Sequence, residues 1–238
     1  MQSAKKEAII LSRRDYGETD RLLCIYSLET GKQTVLAKGV RKPLSKLGGF
    51  LEQFSHVELV LSGGKLAIVN DSNILHSLKD LRSDYSLVEK ANHIAQTLQI
   101  LTEEESEHPE LFHLLLESLL LLSKKLVPEL IPAYFYLNFL KLHGFAPNLE
   151  ACGDCDCDLC VDQVYFGEPY NCFHCAKCGS AKEPQLSVSN AKLLKLILGQ
   201  KLSFLSKISG LQKTDLEKLE ALSLAMLSYH FEKELKFQ

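Results

Sequence analysis

The chain has 238 residues, 46% of them hydrophobic and 24% charged, with a formal net charge of −3. That composition excludes a disordered or fibrous chain, leaves room for one large or two modest cores, and argues, over the whole chain, against a general binder of polyanions. The charge is uneven, though: residues 1–80 carry 12 Lys/Arg against 9 Asp/Glu, whereas residues 145–185 carry 2 against 7, so the two segments have different partners or different faces.

Met1 to Glu7 has no apolar run of the kind that opens a secretory signal. The most apolar stretch, Leu111 to Leu122, is too short to span a bilayer and is interrupted by His113, Glu117 and Ser118. The expectation is a soluble cytoplasmic protein.

Residues 7–72 read as short strands: Ala8 to Leu11, Leu22 to Tyr26, Gln33 to Ala37, Phe54 to Leu61 and Lys65 to Val69. Turn signals at Glu29-Thr30-Gly31, Gly48-Gly49 and Ser62-Gly63-Gly64 separate them. Five short strands without a long intervening helix predict a small barrel or a sandwich, and strand count alone does not choose between the two. Cys24 lies in the second apolar run, where a buried structural thiol is expected. Phe54 is expected in the core.

Two basic clusters decorate this region, Arg13-Arg14 with Arg21, and Lys38 through Arg41-Lys42 to Lys46, with Tyr16, Tyr26, Phe50 and Phe54 interleaved. Cations that track phosphates beside rings that stack on bases suit single-stranded nucleic acid, and a plain solvated face has the same composition. His56-Val57-Glu58 matches half of the zinc-deaminase signature, but the other half needs Pro before Cys-x-x-Cys, and residue 174 is His. A catalytic zinc is not expected.

From residue 84 the period changes to that of a helix, with Leu87, Ala91, Ile94, Leu98 and Leu101 on one face. Pro109 can open a second helix, apolar nearly all round and so buried or laid on a partner. A third begins near Pro132 and stops at Gly144. Leu193 to Leu198 and a C-terminal helix follow, the latter predicted to start at a capping box, Thr214-Asp215-Leu216-Glu217.

Between these helices lie seven of the eight cysteines, as Cys152-x-x-Cys155, Cys157-x-x-Cys160 and Cys172-x-x-Cys175-x-x-Cys178. Each Cys-x-x-Cys turn supplies two thiolates, so two turns complete a tetrahedral site. The intervening stretch is 19 residues from Cys155 to Cys175, 16 from Cys155 to Cys172, 14 from Cys160 to Cys175 and 11 from Cys160 to Cys172. A spacer of about 15–20 favours Cys152, Cys155, Cys175 and Cys178, with Gly179 supplying a positive φ after the second turn. Disulfides do not suit a chain without a signal sequence, and the Cys-Pro continuation of a ferredoxin run is missing. A second zinc on Cys157, Cys160, Cys172 and His174 is the remaining alternative.

Taken together, Ala8 to Leu11, Tyr16-Gly-Glu-Thr-Asp20-Arg-Leu-Leu23, Ala37-Lys-Gly-Val-Arg41-Lys42, Leu51 to Phe54, and Leu142-His-Gly-Phe-Ala-Pro147-Asn-Leu149 ahead of the cysteines resemble the RecO family of DNA repair and recombination mediators. The resemblance is strongest over residues 8–54 and 142–178. It implies an α+β protein: an N-terminal small β-barrel, the OB-fold, over residues 1–80, then an all-α domain over 81–148 and 183–238 that carries an inserted zinc finger at 149–182. It also implies binding of single- and double-stranded DNA, annealing of complementary strands, and action with RecR to load RecA onto strands coated by single-strand-binding protein. On this analogy Arg13, Arg14, Arg21, Lys38, Arg41 and Lys42 are DNA-contact candidates. Zinc is the cofactor and no residue is catalytic, in keeping with the lack of a Gly-x-x-x-x-Gly-Lys-Ser/Thr phosphate loop. The localisation implied is the bacterial cytoplasm, at the nucleoid when acting. The sequence departs from the family in having Asn171-Cys172 where a Gly-Gly pair is usual, and in the extra thiols Cys157, Cys160 and Cys172. The competing class is a zinc-stabilised protein-interaction adaptor without nucleic-acid binding.

Overall fold

A computed structural model describes residues 3–64, 66–159, 164–167, 172–179, 185–199 and 211–237. The chain divides into two compact units, residues 1–125 with Phe237, and residues 126–236. None of the described helices is long and apolar enough to cross a membrane.

In the first unit five strands, β1 (Ala4–Tyr16), β2 (Asp20–Ser27), β3 (Gly31–Ala37), β4 (His56–Ser62) and β5 (Ala67–His76), close into a barrel in the order β1-β2-β3-β5-β4. This choice of barrel over sandwich, with β3 and β5 parallel and the other pairs antiparallel, is the strand arrangement of an OB-fold. Each predicted strand is present, several of them longer than their apolar runs. β5 continues to His76 because Asp71, Ser72 and Asn73, polar and turn-like in sequence, pair with Val60, Leu59 and Glu58 of β4. Alternation sends Ala8, Ile10, Leu23, Ile25, Val35, Ala37, Val57, Leu59, Leu61 and Val69 into one core. A shift of register between Ile10 and Ser12 bends β1 so that it pairs with β2 along its length while still meeting β4.

The stretch between β3 and β4 is a run of turns that adds Val40 and Leu51 to the barrel core and buries Phe54. Phe54 is fully buried, as expected of a core residue, and holds φ 65° while its N–H donates to Ile10 O (2.7 Å). Cys24 is only half-buried. Its neighbours Leu23 and Ile25 face the core, so alternation turns residue 24 to the outside, where burial still pushes its thiol up to about 11.

Three helices complete this unit: α1 (Lys79–Arg82), α2 (Tyr85–Leu101) and α3 (Pro109–Ser123). Asp84 caps α2 by accepting from Ser86 N–H (3.2 Å), and Pro109 occupies the first turn of α3. α3 buries Leu111, Phe112, Leu114, Leu115, Leu119 and Leu122 within the unit and leaves His113 and Glu117 outside. Lys32 of β3 reaches the C-terminal end of α2, its ammonium donating to Gln99 O (2.7 Å) and to Thr102 O. Beyond Thr102 the chain lies along β3, with Glu105 N–H donating to Lys32 O (2.8 Å). This close approach requires glycine at position 31, where φ is +67° and a Cβ would lie 2.0 Å from Ser106 O.

His56 is buried on β4. Its Nε2–H donates to Glu7 Oε1 (2.8 Å), which leaves Nδ1 to accept from His76 Nδ1–H (2.9 Å), and the two imidazoles stack at 5.2 Å. Phe112 of α3 meets the His56 ring edge-on. His56 is thus a satisfied structural histidine.

The second unit holds a 3₁₀ turn (Pro128–Leu130), α4 (Ile131–Leu142), three short strands β6 (Val164–Phe166), β7 (Phe173–Cys175) and β8 (Gln185–Leu186), α5 (Val188–Gly199) and α6 (Lys213–Phe231). α4 buries nine residues from Ile131 to Leu140 and packs on α5 and α6, with Phe139 meeting Phe231 at 5.4 Å. The capping box is not formed. α6 starts one residue before Thr214, after Gln212, with no side-chain cap; Asp215 instead accepts from Ser187 Oγ (3.2 Å). Thr214 lies inside the helix, and Glu217, the carboxylate that the box would turn back, lies 3.7 Å from Lys213 Nζ.

Removing the Lys32 ammonium leaves the last carbonyls of α2 uncapped, so Lys32→Met is expected to cost about 1–2 kcal/mol, read as a lower urea midpoint at unchanged slope. Burial holds His56 below its ordinary value of 6.5, against the opposing pull of Glu7. The unfolded chain therefore takes up a proton that the folded one resists. Stability is full above this value and falls as pH drops below it. Denaturation midpoints at about pH 7.5 and 5.5 should show that loss, and His56→Gln should flatten it.

Candidate metal centre and nucleic-acid interface

The first cysteine knuckle is fixed by its backbone. Cys152 N–H donates to Cys157 O (2.8 Å), Asp156 N–H to Cys152 O (3.0 Å) and Leu159 N–H to Glu150 O (2.9 Å), so residues 150–159 fold back on themselves. The residue that takes the left-handed conformation is Asp156, at φ 54°. Gly153 N–H donates to Phe173 O (2.9 Å), joining this hairpin to β7 and so to the second knuckle. There Cys178 N–H and Gly179 N–H both donate to Cys175 O (3.1 and 2.8 Å). Gly179 does not have the positive φ expected of it. Its glycine is required by packing, since a Cβ there would lie 2.5 Å from Cγ of the Tyr165 ring.

Three of the four predicted ligands, Cys152, Cys155 and Cys175, come together, and Cys157 joins them. The sulfurs of Cys152, Cys155, Cys157 and Cys175 lie within 4.8 Å of one another, with Cys155 Sγ and Cys175 Sγ at 3.8 Å. Cys178, the fourth predicted ligand, is not in this group of four. Cys157 thus sits with the first set and away from the alternative site; Cys160 lies outside the described residues. Cys172 and His174 contact each other (3.4 Å), and His174 is 3.7 Å from Asp154 Oδ1. None of the seven described cysteines is in a disulfide.

Electrostatically the cluster calls for a cation. Burial pushes the Cys152 thiol up, but N–H groups of Cys175, Asp154 and Cys155 more than offset it and bring it down to about 6. Cys175 is lowered by N–H donation from Cys178 and Lys177. Hydrogen bonds to Cys155 and Cys175 push Cys157 up to about 12, and those to Cys155 and its neighbours push Cys178 up as well. Sulfurs this close cannot all ionise unless a multivalent cation neutralises them. An all-sulfur donor set of tetrahedral size fits zinc among the common metals.

On the barrel, β1 and β2 bring Asp15 opposite Arg21, and the two side chains pair at 3.0 Å. Arg41 reaches the same carboxylate (3.4 Å) and also donates to Gly17 O (3.4 Å). The Arg21 hydrogen bond, helped by the charges of Arg41 and Arg13, holds the Asp15 carboxyl below its usual range. Arg13 pairs with Glu52 at 2.5 Å. Nearby, Asp20 accepts from Gly39 N–H (2.7 Å) and from Thr19 Oγ (2.9 Å), and Arg41 N–H donates to Thr19 O (2.9 Å), so the turn after β3 is tied to the turn between β1 and β2. The Gly39 N–H bond, with Lys38 and Lys42 adding to it, lowers the Asp20 carboxyl.

Five of the six predicted cations are therefore gathered around two carboxylates: Arg13, Arg21 and Arg41 near Asp15, Lys38 and Lys42 near Asp20. Arg14 is exposed on β1, opposite Leu22, and points to the other face from Arg13. Tyr16 (52% exposed), Phe50 (39%) and Leu44 (96%) lie on the same turns, and Phe54 and Tyr26 are buried. Asp15, Asp20 and Glu52 are the residues that reasoning on cations alone missed; an acid recurring beside each basic cluster was their only trace.

Residues 1–78 match the family described as Recombination protein O N terminal, and residues 82–237 the one described as Recombination protein O C terminal. The chain is 30% identical over 234 residues to the DNA repair protein RecO of Dehalococcoides mccartyi, spanning 98% of this chain and 92% of that one. It is 31% identical over 250 residues to the DNA repair protein RecO of Desulfatibacillum aliphaticivorans (99% and 95%), and 29% identical over 208 residues to that of Bacillus mycoides (86% and 83%).

Because one Asp20 carboxylate holds the turn after β3, Asp20→Ala is expected to leave the barrel folded and to free that turn. Protection of the Gly39 amide against hydrogen exchange should fall by roughly an order of magnitude while amides in β2 keep theirs.

Proposed function

The chain belongs to the recombination protein O family, RecO, and on that premise we propose that it is a mediator of DNA repair and homologous recombination. It binds single- and double-stranded DNA on the barrel, anneals complementary strands and, with RecR, helps RecA load onto strands coated by single-strand-binding protein. It acts in the bacterial cytoplasm, at the nucleoid, and has no catalytic residues. The observation that carries this reading is the convergence of Arg13, Arg21, Arg41, Lys38 and Lys42 on two adjoining turns of a closed barrel. Cations so grouped neutralise phosphates of one strand and release its counterions, a sequence-independent attraction that also reduces the repulsion met by a second strand. Exposed Tyr16 and Phe50 offer faces for unpaired bases.

The cysteine cluster is read as a structural zinc site. The segment that holds it is acidic, and a four-thiolate site around a dication adds about two further negative charges, which suits a scaffold and opposes phosphate contact. In the second unit a cavity of about 330 Å³, lined by Pro147, Asn148, Leu149, Glu150, Lys195, Leu198 and Gly199, combines apolar walls with an ammonium group and a carboxylate. That chemistry suits a chain terminus with its carboxylate, as the tail of single-strand-binding protein would present.

A second reading has an observation of its own. Arg13, Arg21 and Arg41 are already paired with carboxylates, as on a protein-interaction adaptor that never meets DNA. Oligonucleotide binding measured across a salt series separates the two. A DNA mediator binds a single strand with affinity that falls steeply with salt, and Arg13→Ala with Arg41→Ala weakens it and flattens the log–log slope by about 1.4. Unchanged affinity and slope would remove this surface from the DNA reading.

A further inference from the structure

Between β3 and β4 the chain leaves the barrel at one apolar residue and returns at another. Val40 lies in the barrel core and Leu47 packs against it, so residues 41–46 project between two anchored feet. The projection is braced by turns of its own. Lys42 N–H donates to Gly39 O (3.1 Å), Ser45 N–H to Lys42 O (2.9 Å) and Leu47 N–H to Ser45 Oγ (3.3 Å). Pro43 fills the second position of the turn over residues 42–45, where its fixed φ is favoured. The third position is Leu44, 96% exposed, more than any other large apolar side chain among the described residues.

Apolar side chains standing singly on a surface are common and need no role. Leu44 differs in its setting. It is held at the apex of a hydrogen-bonded turn, and residues 38–50 carry Lys38, Arg41, Lys42 and Lys46 without a carboxylate. An apex that offers one apolar side chain needs a partner that supplies the slot, and the cations around it call for anionic walls. A base-pair step of a duplex is an apolar slot between two phosphate backbones, so it complements both features. Leucine has no ring to stack on unpaired bases, but an aliphatic side chain can enter between adjacent base pairs and part them.

We infer that Leu44 is a wedge: with Lys42 and Lys46 on the phosphates, it enters a base-pair step of double-stranded DNA and unstacks it. The inference rests on the DNA reading given above and goes beyond it, because cations alone hold a duplex without opening it. Pyrimidine–purine steps, which unstack most readily, are the steps it favours. Opening a step is distinct from holding an unpaired strand, and it gives this surface a means of telling the two forms apart.

The test uses the full-length chain, its L44A and L44M variants, and a short duplex carrying 2-aminopurine at pyrimidine–purine steps, whose fluorescence rises when stacking is lost. The matching single strand is titrated in parallel. The unaltered chain is expected to raise the fluorescence of the bound duplex. L44A should abolish that rise and lower the ratio of duplex to single-strand affinity several-fold, while the salt slope, set by phosphate contacts, stays the same. L44M, which keeps an apolar side chain of like volume, should restore the rise. Because Leu44 is exposed, neither variant disturbs the core, and equal denaturation midpoints for the three chains check this. Duplex binding without a rise in fluorescence would overturn the wedge and assign Leu44 to a protein contact, leaving the DNA reading in place. A rise that persists in L44A would overturn it too, as would an L44A that loses affinity for both forms equally. If the unaltered chain binds neither form, the DNA reading itself fails and the wedge with it.

Discussion

The barrel of the first unit is closed by very little. Among the described residues only Val35 with Ala67 and Leu36 with Ile68 pair β3 to β5 in parallel, yet without that ladder the sheet would be open, with two free edges. Because β5 enters between β3 and β4, the chain after β3 must cross one end of the barrel before it returns as β4. That crossing places Val40, Leu51 and Phe54 in the core. Holding Phe54 at positive φ costs on the order of 1–2 kcal/mol, offset by a fully buried ring and a bond to Ile10 O. The same crossing carries Lys38, Arg41, Lys42 and Glu52 past the end of β1, where Arg13 and Asp15 meet them. A short ladder on one side thus decides where the charges gather on another.

Much of this was legible in the residues. Period-two runs located the five strands, and the shift to a 3.6 period at residue 84 marked the helices to within a few residues. Failures occurred where a side chain had more than one available partner. Thr214 to Glu217 reads as a capping box only if the helix starts at Thr214; it starts a residue earlier, after Gln212, and Glu217 lies against Lys213 instead. Gly179 reads as a turn glycine until Tyr165, 14 residues earlier in the chain, is found against it. Cys24 lies in an apolar run, but alternation assigns it to the outer face. Only the Gly179 miss concerns a contact distant in sequence.

For the candidate sites the same division holds. Spacing alone selected Cys152, Cys155 and Cys175, which do converge, because a Cys-x-x-Cys turn is a local structure. Spacing could not show that Cys157 also reaches the cluster, since its position depends on the hairpin formed with Glu150 and Cys152. On the barrel, counting cations picked out the turns where these side chains gather and overlooked what organises them. Asp20 contributes nothing to a positive surface, but by accepting from Gly39 N–H it holds the turn on which three of the cations ride.

The pairing of Arg13 with Glu52, and of Arg21 and Arg41 with Asp15, bears on how a polyanion would leave this surface as much as on how it would arrive. A mobile ion displaced from an arginine diffuses into bulk solution and the gain in entropy favours the complex. A carboxylate displaced from an arginine stays tethered a few ångströms away, gains no such freedom, and is ready to reclaim its partner. Arginines with built-in anions therefore grip phosphate more weakly than bare ones and let go without waiting for salt. Under the proposed function, in which two strands are brought together and the duplex is then surrendered, a hold that carries its own means of release suits turnover better than a tighter one.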